Sequence, residues 1–187
     1  RGRRDSVAKN RRISQLRIGP VEGIEVLSSQ TESYRKKMIQ FCSKFMGVPG
    51  PRLFRCGAGF SISIDAYGMI QPCLALRVPE LCHSIKDVTL AEALTLLYPR
   101  MRNIEAKNPK YLNRCALCFI KGLCEQCPAK SWSEHGTLDT PVEYLCAVAH
   151  AHAQYLGLLK PGENAWEVEN GVERVRGAHG SLFDDAK

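Results

Sequence analysis

The chain has 187 residues, 44% apolar and 24% charged, which suits one globular domain of ordinary size with additional chain at its ends. No apolar run approaches the roughly 18 residues that cross a bilayer, and the basic start lacks the apolar segment and small-residue cleavage site of a secretory signal. The net charge of +7 is largely an end effect: Arg1, Arg3, Arg4, Lys9, Arg11 and Arg12 against Asp5 leave +5 in residues 1–12 and only +2 in the other 175, which argues against a nucleic-acid footprint spread over a folded face.

In chain order, Ile13, Leu16 and Ile18 before Gly19-Pro20 predict a short strand and turn. Ser29 and Glu32 have the spacing of a capping box and predict a helix to about Met46, with Met38, Phe41, Cys42 and Phe45 as its apolar stripe. Gly47-Val48-Pro49-Gly50-Pro51 stops that helix and marks a boundary. The alternation of Phe60-Ser61-Ile62-Ser63-Ile64, the turn Asp65-Ala66-Tyr67-Gly68 and the return through Met69-Ile70-Gln71-Pro72 predict a hairpin. Such a hairpin carries Cys56 and Cys73 to the same end of two paired strands. Thr89 with Glu92, and Thr140 with Glu143 after Pro141, predict two further capped helices, the last ending at Gly157. Residues 161–187 are polar and glycine-bearing and are expected to form a flexible tail.

The nine cysteines are the informative excess: Cys42, Cys56, Cys73, Cys82, Cys115, Cys118, Cys124, Cys127 and Cys146. An odd count and a tight cluster argue against a disulfide framework and for thiolates available to metal in a reducing, cytoplasmic setting. Cys115-x2-Cys118-x5-Cys124-x2-Cys127 forms a dense loop, Cys146 follows on a helix, and Cys56 and Cys73 flank the hairpin. Seven cysteines exceed what one four-ligand site takes, so two sites are expected.

Cys56-x11-Gly68-x4-Cys73, then the four-cysteine loop, the phrase Gly122-Leu123-Cys124-Glu125-Gln126-Cys127-Pro128-Ala129 and Cys146, resembles the SPASM domain. That domain is the C-terminal auxiliary-cluster extension of many radical S-adenosylmethionine enzymes, including anaerobic sulfatase maturases and peptide maturases. The resemblance covers about residues 52–158. It implies an α+β fold, a hairpin and several helices around two [4Fe–4S] clusters, with Cys56, Cys73 and Cys127 on the first and Cys115, Cys118, Cys124 and Cys146 on the second. It also implies residues 1–48 as a linker or the end of a radical enzyme's barrel, 49–160 as the cluster domain, and 161–187 as the tail. Cys124 and Cys127 are two residues apart where many members have three, and Gly50–Arg55 lacks the upstream cysteine of some members. The first cluster is thus left with an open iron, or with Cys42 or Cys82 as its fourth ligand.

The resemblance further implies a peptide or protein substrate and an electron carrier such as ferredoxin or flavodoxin. No Cys-x3-Cys-x2-Cys triplet is present, so S-adenosylmethionine belongs to a core domain outside these residues, and the chain alone is not expected to cleave it. The rival reading is a zinc-binding interaction module with four cysteine ligands, since paired Cys-x2-Cys is also a zinc pattern. A ferredoxin-like carrier fits less well, because the loop spacing differs from the bacterial ferredoxin run. A domain whose clusters serve only its fold has the same ligands. His150, one turn after Cys146, is read as an ordinary surface or core histidine rather than a neighbour of the metal.

Overall fold

The computed structural model describes residues 6–31, 33–46 and 49–184; Glu32, Gly47, Val48 and the basic Arg1, Arg3 and Arg4 lie outside the described residues. The elements are α1 (Val7–Leu16), α2 (Pro20–Ser29), α3 (Tyr34–Lys44), β1 (Ser63–Ile64), β2 (Met69–Gln71), β3 (His83–Ser84), α4 (Leu90–Glu92), α5 (Tyr98–Arg102), α6 (Pro128–His135), α7 (Glu143–Tyr155) and α8 (Gly171–Asp184). The fold is α+β, mostly helical, with one antiparallel sheet in the order β1-β2-β3. No helix among the described residues is long and apolar enough to cross a membrane.

The chain divides into two compact units, each assembled from separated stretches. The first takes the residues through Ile13, Pro51–Tyr111 and Cys127–Thr140; the second takes Ser14–Gly50, Leu112–Gln126 and the chain from Pro141 on.

The expected hairpin organises the first unit, with Ser63 opposite Gln71 and Ile64 opposite Ile70. Its turn is held by Asp65, whose Oδ1 accepts from the backbone N–H groups of Tyr67 (2.9 Å) and Met69 (3.0 Å) and whose Oδ2 accepts from Gln71 Nε2 (3.0 Å). Gly68 supplies the left-handed residue the turn requires, at φ +77°. The third strand was not legible in the alternation: β3 pairs with β2, Ile70 opposite His83 and Met69 opposite Ser84. Behind the sheet Ile70, Ala93 and Tyr98 are fully buried together. Thr89 caps α4 as expected, accepting from Glu92 N–H at 3.1 Å, and a π-helical turn over Ala93–Leu97 leads into α5. Asp139 ties the late segment back by accepting from the N–H groups of Lys107 and Asn108, both at 2.9 Å.

The second unit packs helices around Ile39, Cys42, Ile120, Ala153, Leu156, Leu158 and Val175, each at most 1% exposed. Each large aliphatic among them contributes about 2 kcal/mol by leaving water. The close approach of α3 to the 121–123 turn depends on Gly122, where a Cβ would stand 2.6 Å from the Cys42 carbonyl oxygen. Gly171 makes a similar demand, since a Cβ there would enter the Phe119 ring. Tyr34 stacks on His152 (5.6 Å between centroids, 12° between planes), and its hydroxyl lies 3.1 Å from His152 Nε2.

Four local expectations are corrected. No strand forms over residues 13–19, where α1 ends at Leu16 and a short link leads to α2, and Gly19-Pro20 is a helix start rather than a turn: proline takes the first helical position, where its missing N–H costs nothing, and Glu22 reaches back to Gly19 N–H at 3.4 Å. Ser29 closes α2 instead of capping α3, its hydroxyl donating to Val26 O at 2.9 Å. Thr140 does not cap α7. Its Oγ1 is engaged by Thr137 and Asn108, and Val142 N–H is bonded by Gln126 Oε1 at 2.9 Å. In place of a flexible tail, residues 171–184 form α8, which packs on α3 and buries Val175 completely. Arg174 anchors it with a two-pronged pair to Glu163 at 2.6 and 3.0 Å.

Gly122→Ala is expected to destabilise the chain by about 1–3 kcal/mol, because backbone rather than a flexible side chain stands in the way; a thermal melt matching wild type refutes the close-approach argument. Burial holds His152 below the ordinary histidine range, so the unfolded chain takes up this proton at a higher pH than the folded one. The contribution of neutral His152 is complete above about pH 6.5 and declines as pH falls below it. His152→Gln should flatten the fall in Tm between about pH 7 and 5, and equal slopes in both proteins would count against it.

Candidate metal centres

None of the nine cysteines is in a disulfide. They sort between the two units: Cys56, Cys73, Cys82 and Cys127 lie in the first, and Cys42, Cys115, Cys118, Cys124 and Cys146 in the second. The division falls between Gln126 and Cys127, inside the dense loop. Of the sequence-predicted ligands, Cys56, Cys73 and Cys127 thus share one unit, and Cys115, Cys118, Cys124 and Cys146 share the other.

In the first unit the sheet does the positioning. β2 runs out through Pro72 into Cys73, and Gly59 N–H donates to Pro72 O at 2.9 Å, drawing in the chain that follows Cys56. The Arg102 guanidinium holds that loop by donating to the carbonyl oxygens of Cys56 and Ala58, both at 2.8 Å, while lying 3.7 Å from the Phe60 ring centroid. Cys56 is exposed and Cys73 and Cys127 are half-buried. Cys127 is the residue before α6, its carbonyl accepting from the N–H groups of Lys130 and Ser131 at 3.1 and 3.0 Å.

In the second unit the chemistry is concentrated around Cys146, in the first turns of α7. Arg114 makes a bidentate pair with Glu143, both contacts at 2.9 Å, and the same guanidinium donates from Nη2 to Cys146 Sγ at 3.3 Å. It also lies over the Trp166 ring, 4.5 Å from the centroid. His150 Nδ1 stands 2.8 Å from Cys146 O and 3.6 Å from its Sγ, while Nε2 accepts from Ala165 N–H at 3.2 Å. Since a carbonyl can only accept and an N–H only donate, these contacts assign the neutral tautomer with hydrogen on Nδ1.

Burial works against ionisation at Cys115, Cys118 and Cys146, and the neighbours decide the result. Cys118 is pushed up to about 12 and Cys115 to about 11, burial leading in both. The charge of Cys146 acts on both and that of Cys124 on Cys118, so the four thiols are electrostatic neighbours. At Cys146 burial is outweighed by hydrogen bonds from His150 and Arg114, and its pKa is held below the usual range. Cys42 is different. It is fully buried in an apolar core, with its thiol pushed up to about 11 by desolvation alone, and is a packing residue of the second unit.

Among the described residues, no three thiol, imidazole or carboxylate groups converge on a point that one metal ion could occupy. A four-iron core takes one thiolate per iron, so its ligands need not meet at one point. The donor chemistry fits such a group: two sets of thiols, one with basic donors already aimed at a sulfur. Arg114, and Trp166 on which it packs, were not singled out from sequence as neighbours of Cys146. His150, read there as an ordinary histidine, is in hydrogen-bond contact with Cys146. Only its i+4 spacing from Cys146 signalled this; Arg114 comes from 32 residues away. Comparison with known protein families, curated proteins and solved structures finds no match for this chain.

In the metal-free protein at neutral pH, Cys146 is expected to react with iodoacetamide faster than Cys115 or Cys118, because more of it is thiolate. Arg114→Met should slow Cys146 more than the others, since only Cys146 loses a hydrogen bond as well as a nearby charge. A mass-spectrometric time course in which the three react alike, or in which the substitution changes nothing, contradicts the hydrogen-bond assignment.

Proposed function

We propose that this chain is an auxiliary iron–sulfur domain of the SPASM type, belonging to a radical S-adenosylmethionine enzyme that modifies a peptide or protein. Two [4Fe–4S] clusters are its cofactors. What supports the reading above all is the exchange of units between Gln126 and Cys127. The resemblance to the SPASM domain implies that Cys127, at the end of the loop, serves a different cluster from Cys115, Cys118 and Cys124. The compact units divide the same residues in the same way, although contact density and motif resemblance are unrelated criteria.

Cys115, Cys118, Cys124 and Cys146 would hold the second cluster, and Cys56, Cys73 and Cys127 the first. A bound cluster supplies one-electron transfer and, at any iron without a protein ligand, a coordination site. The chain's own part at the second centre is to orient Cys146. Glu143 fixes the Arg114 guanidinium from one side and Trp166 packs on its face, so an N–H is held on the Cys146 sulfur without help from solvent. Hydrogen bonds of that kind favour the more reduced state by offsetting negative charge on sulfur. In this reading the domain engages the peptide and passes electrons to a carrier such as ferredoxin or flavodoxin, while S-adenosylmethionine binds in a core domain elsewhere.

Anaerobic reconstitution with iron and sulfide should yield about eight irons and eight sulfides per chain as two [4Fe–4S] centres, read by metal and sulfide analysis and Mössbauer spectroscopy. Cys118→Ala should remove about half of each. One tightly held zinc with no acid-labile sulfide would sink the proposal and make the chain a zinc-bound interaction module.

A further inference from the structure

We propose that Cys82 is the fourth protein ligand of the first cluster, completing Cys56, Cys73 and Cys127, and that the buried hydroxyl of Tyr98 donates a hydrogen bond to sulfur at that centre. The inference rests on the two-cluster reading and deepens it, replacing an open iron by a closed four-thiolate site.

Strand register supplies the first argument. β1 begins at Ser63 and β2 ends at Gln71, its partner, so the chain before β1 and the chain after β2 occupy one end of the sheet. β3 starts with His83 opposite Ile70, which sets the preceding residue, Cys82, beside the end of β2. Three paired strands therefore bring Cys56, Cys73 and Cys82 to one sheet end. The loop joining the last two is short and internally bonded: Leu76 N–H donates to Cys73 O at 3.3 Å, and Cys82 Sγ donates to Leu76 O at 3.5 Å. Cys82 is half-buried and lies in the same compact unit as Cys127. Cys42, the other candidate, is a core residue of the second unit.

Tyr98 supplies the second argument. Its side chain is 1% exposed and packs against Ile70 of β2 and under Gly59, where a Cβ would stand 3.0 Å from Tyr98 Cβ. Its hydroxyl has no hydrogen-bond partner among the described residues. Leaving a buried hydroxyl unsatisfied costs about 1–3 kcal/mol, and a phenylalanine would fill the same space without that cost. Burial, then the charges of Cys82 and Cys73, push this hydroxyl up to about 12. The hydroxyl thus remains a protonated donor, within the electrostatic reach of both thiols. A cluster bound there would give the hydroxyl its acceptor.

The test uses the full chain carrying Cys115→Ala and Cys118→Ala, so that only the first centre is retained. That chain should bind about four irons. Cys73→Ala and Cys82→Ala added to it should each abolish uptake, while Cys82→Ser should keep iron with an altered Mössbauer quadrupole splitting at one site. A small thiol added to the chain with Cys82 intact should leave its spectrum unchanged, because no iron is open. Tyr98→Phe should retain the iron and shift the midpoint potential to more negative values. Cys82 is overturned as a ligand if Cys73→Ala loses the cluster while Cys82→Ala or Cys82→Ser keeps it with the parent spectrum, or if added thiol perturbs the intact chain. A parent that takes up no iron and sulfide, or is indifferent to Cys73→Ala, overturns the two-cluster reading and this inference with it.

Discussion

A thiol carried out of water resists ionisation, and the organisation of this chain follows from where that cost is met. Cys42 meets it by staying a thiol among aliphatic side chains. Cys115 and Cys118 are pushed up by burial with little compensation, which is the condition under which a cationic iron core has most to contribute. At Cys146 the compensation built from the protein outweighs burial, through Arg114 and His150. Those donors are themselves held: Arg114 by Glu143 and Trp166, His150 by the carbonyl of Cys146 and the N–H of Ala165. The sulfur is therefore approached from fixed directions rather than by mobile surface groups.

The first unit handles the same problem by strand pairing. Asp65 closes a tight turn, which sets the hairpin register; the register brings the chain after Cys56 to Pro72 and lets β3 return Cys82 to the same end. Shifting any strand by one residue would turn its side chains to the opposite face. The loop geometry at Asp65 and Gly68 is therefore coupled to the placement of the cysteines at the sheet end. Tyr98 behind the sheet completes this arrangement, packing on Ile70 and Gly59 with its hydroxyl unpartnered among the described residues.

The loop from Cys115 to Cys127 serves both units. Its first part closes against α3 through Gly122 and its last residue leads α6 in the other unit. A metal bound in either unit would join segments far apart in sequence, and the binding free energy would add directly to folding.

Residues close in sequence were legible as sequence. The hairpin, its turn glycine, the Thr89 cap and the cysteine spacings follow from short-range periodicity and turn chemistry, whereas the expected stripe on α3 holds only at Met38 and Cys42: Phe41 and Phe45 are exposed and Ile39 is buried instead. Where two local signals compete, packing arbitrated. Gly19-Pro20 reads as a turn or a helix start, and Thr140 as a cap or a tether. Residues 161–187 look polar until Val175 finds a place in a core made by α3. The contacts of Arg114 with Cys146, of β3 with β2, and of Tyr98 with the end of the sheet span from 13 to more than 30 residues of chain. Spacing carries no signal over such separations, because loop closure leaves the partner of a side chain undetermined until the whole chain has packed. The sequence by itself determined which residues can act as ligands; tertiary structure decided which unit each one joins and which neutral or basic neighbour faces it.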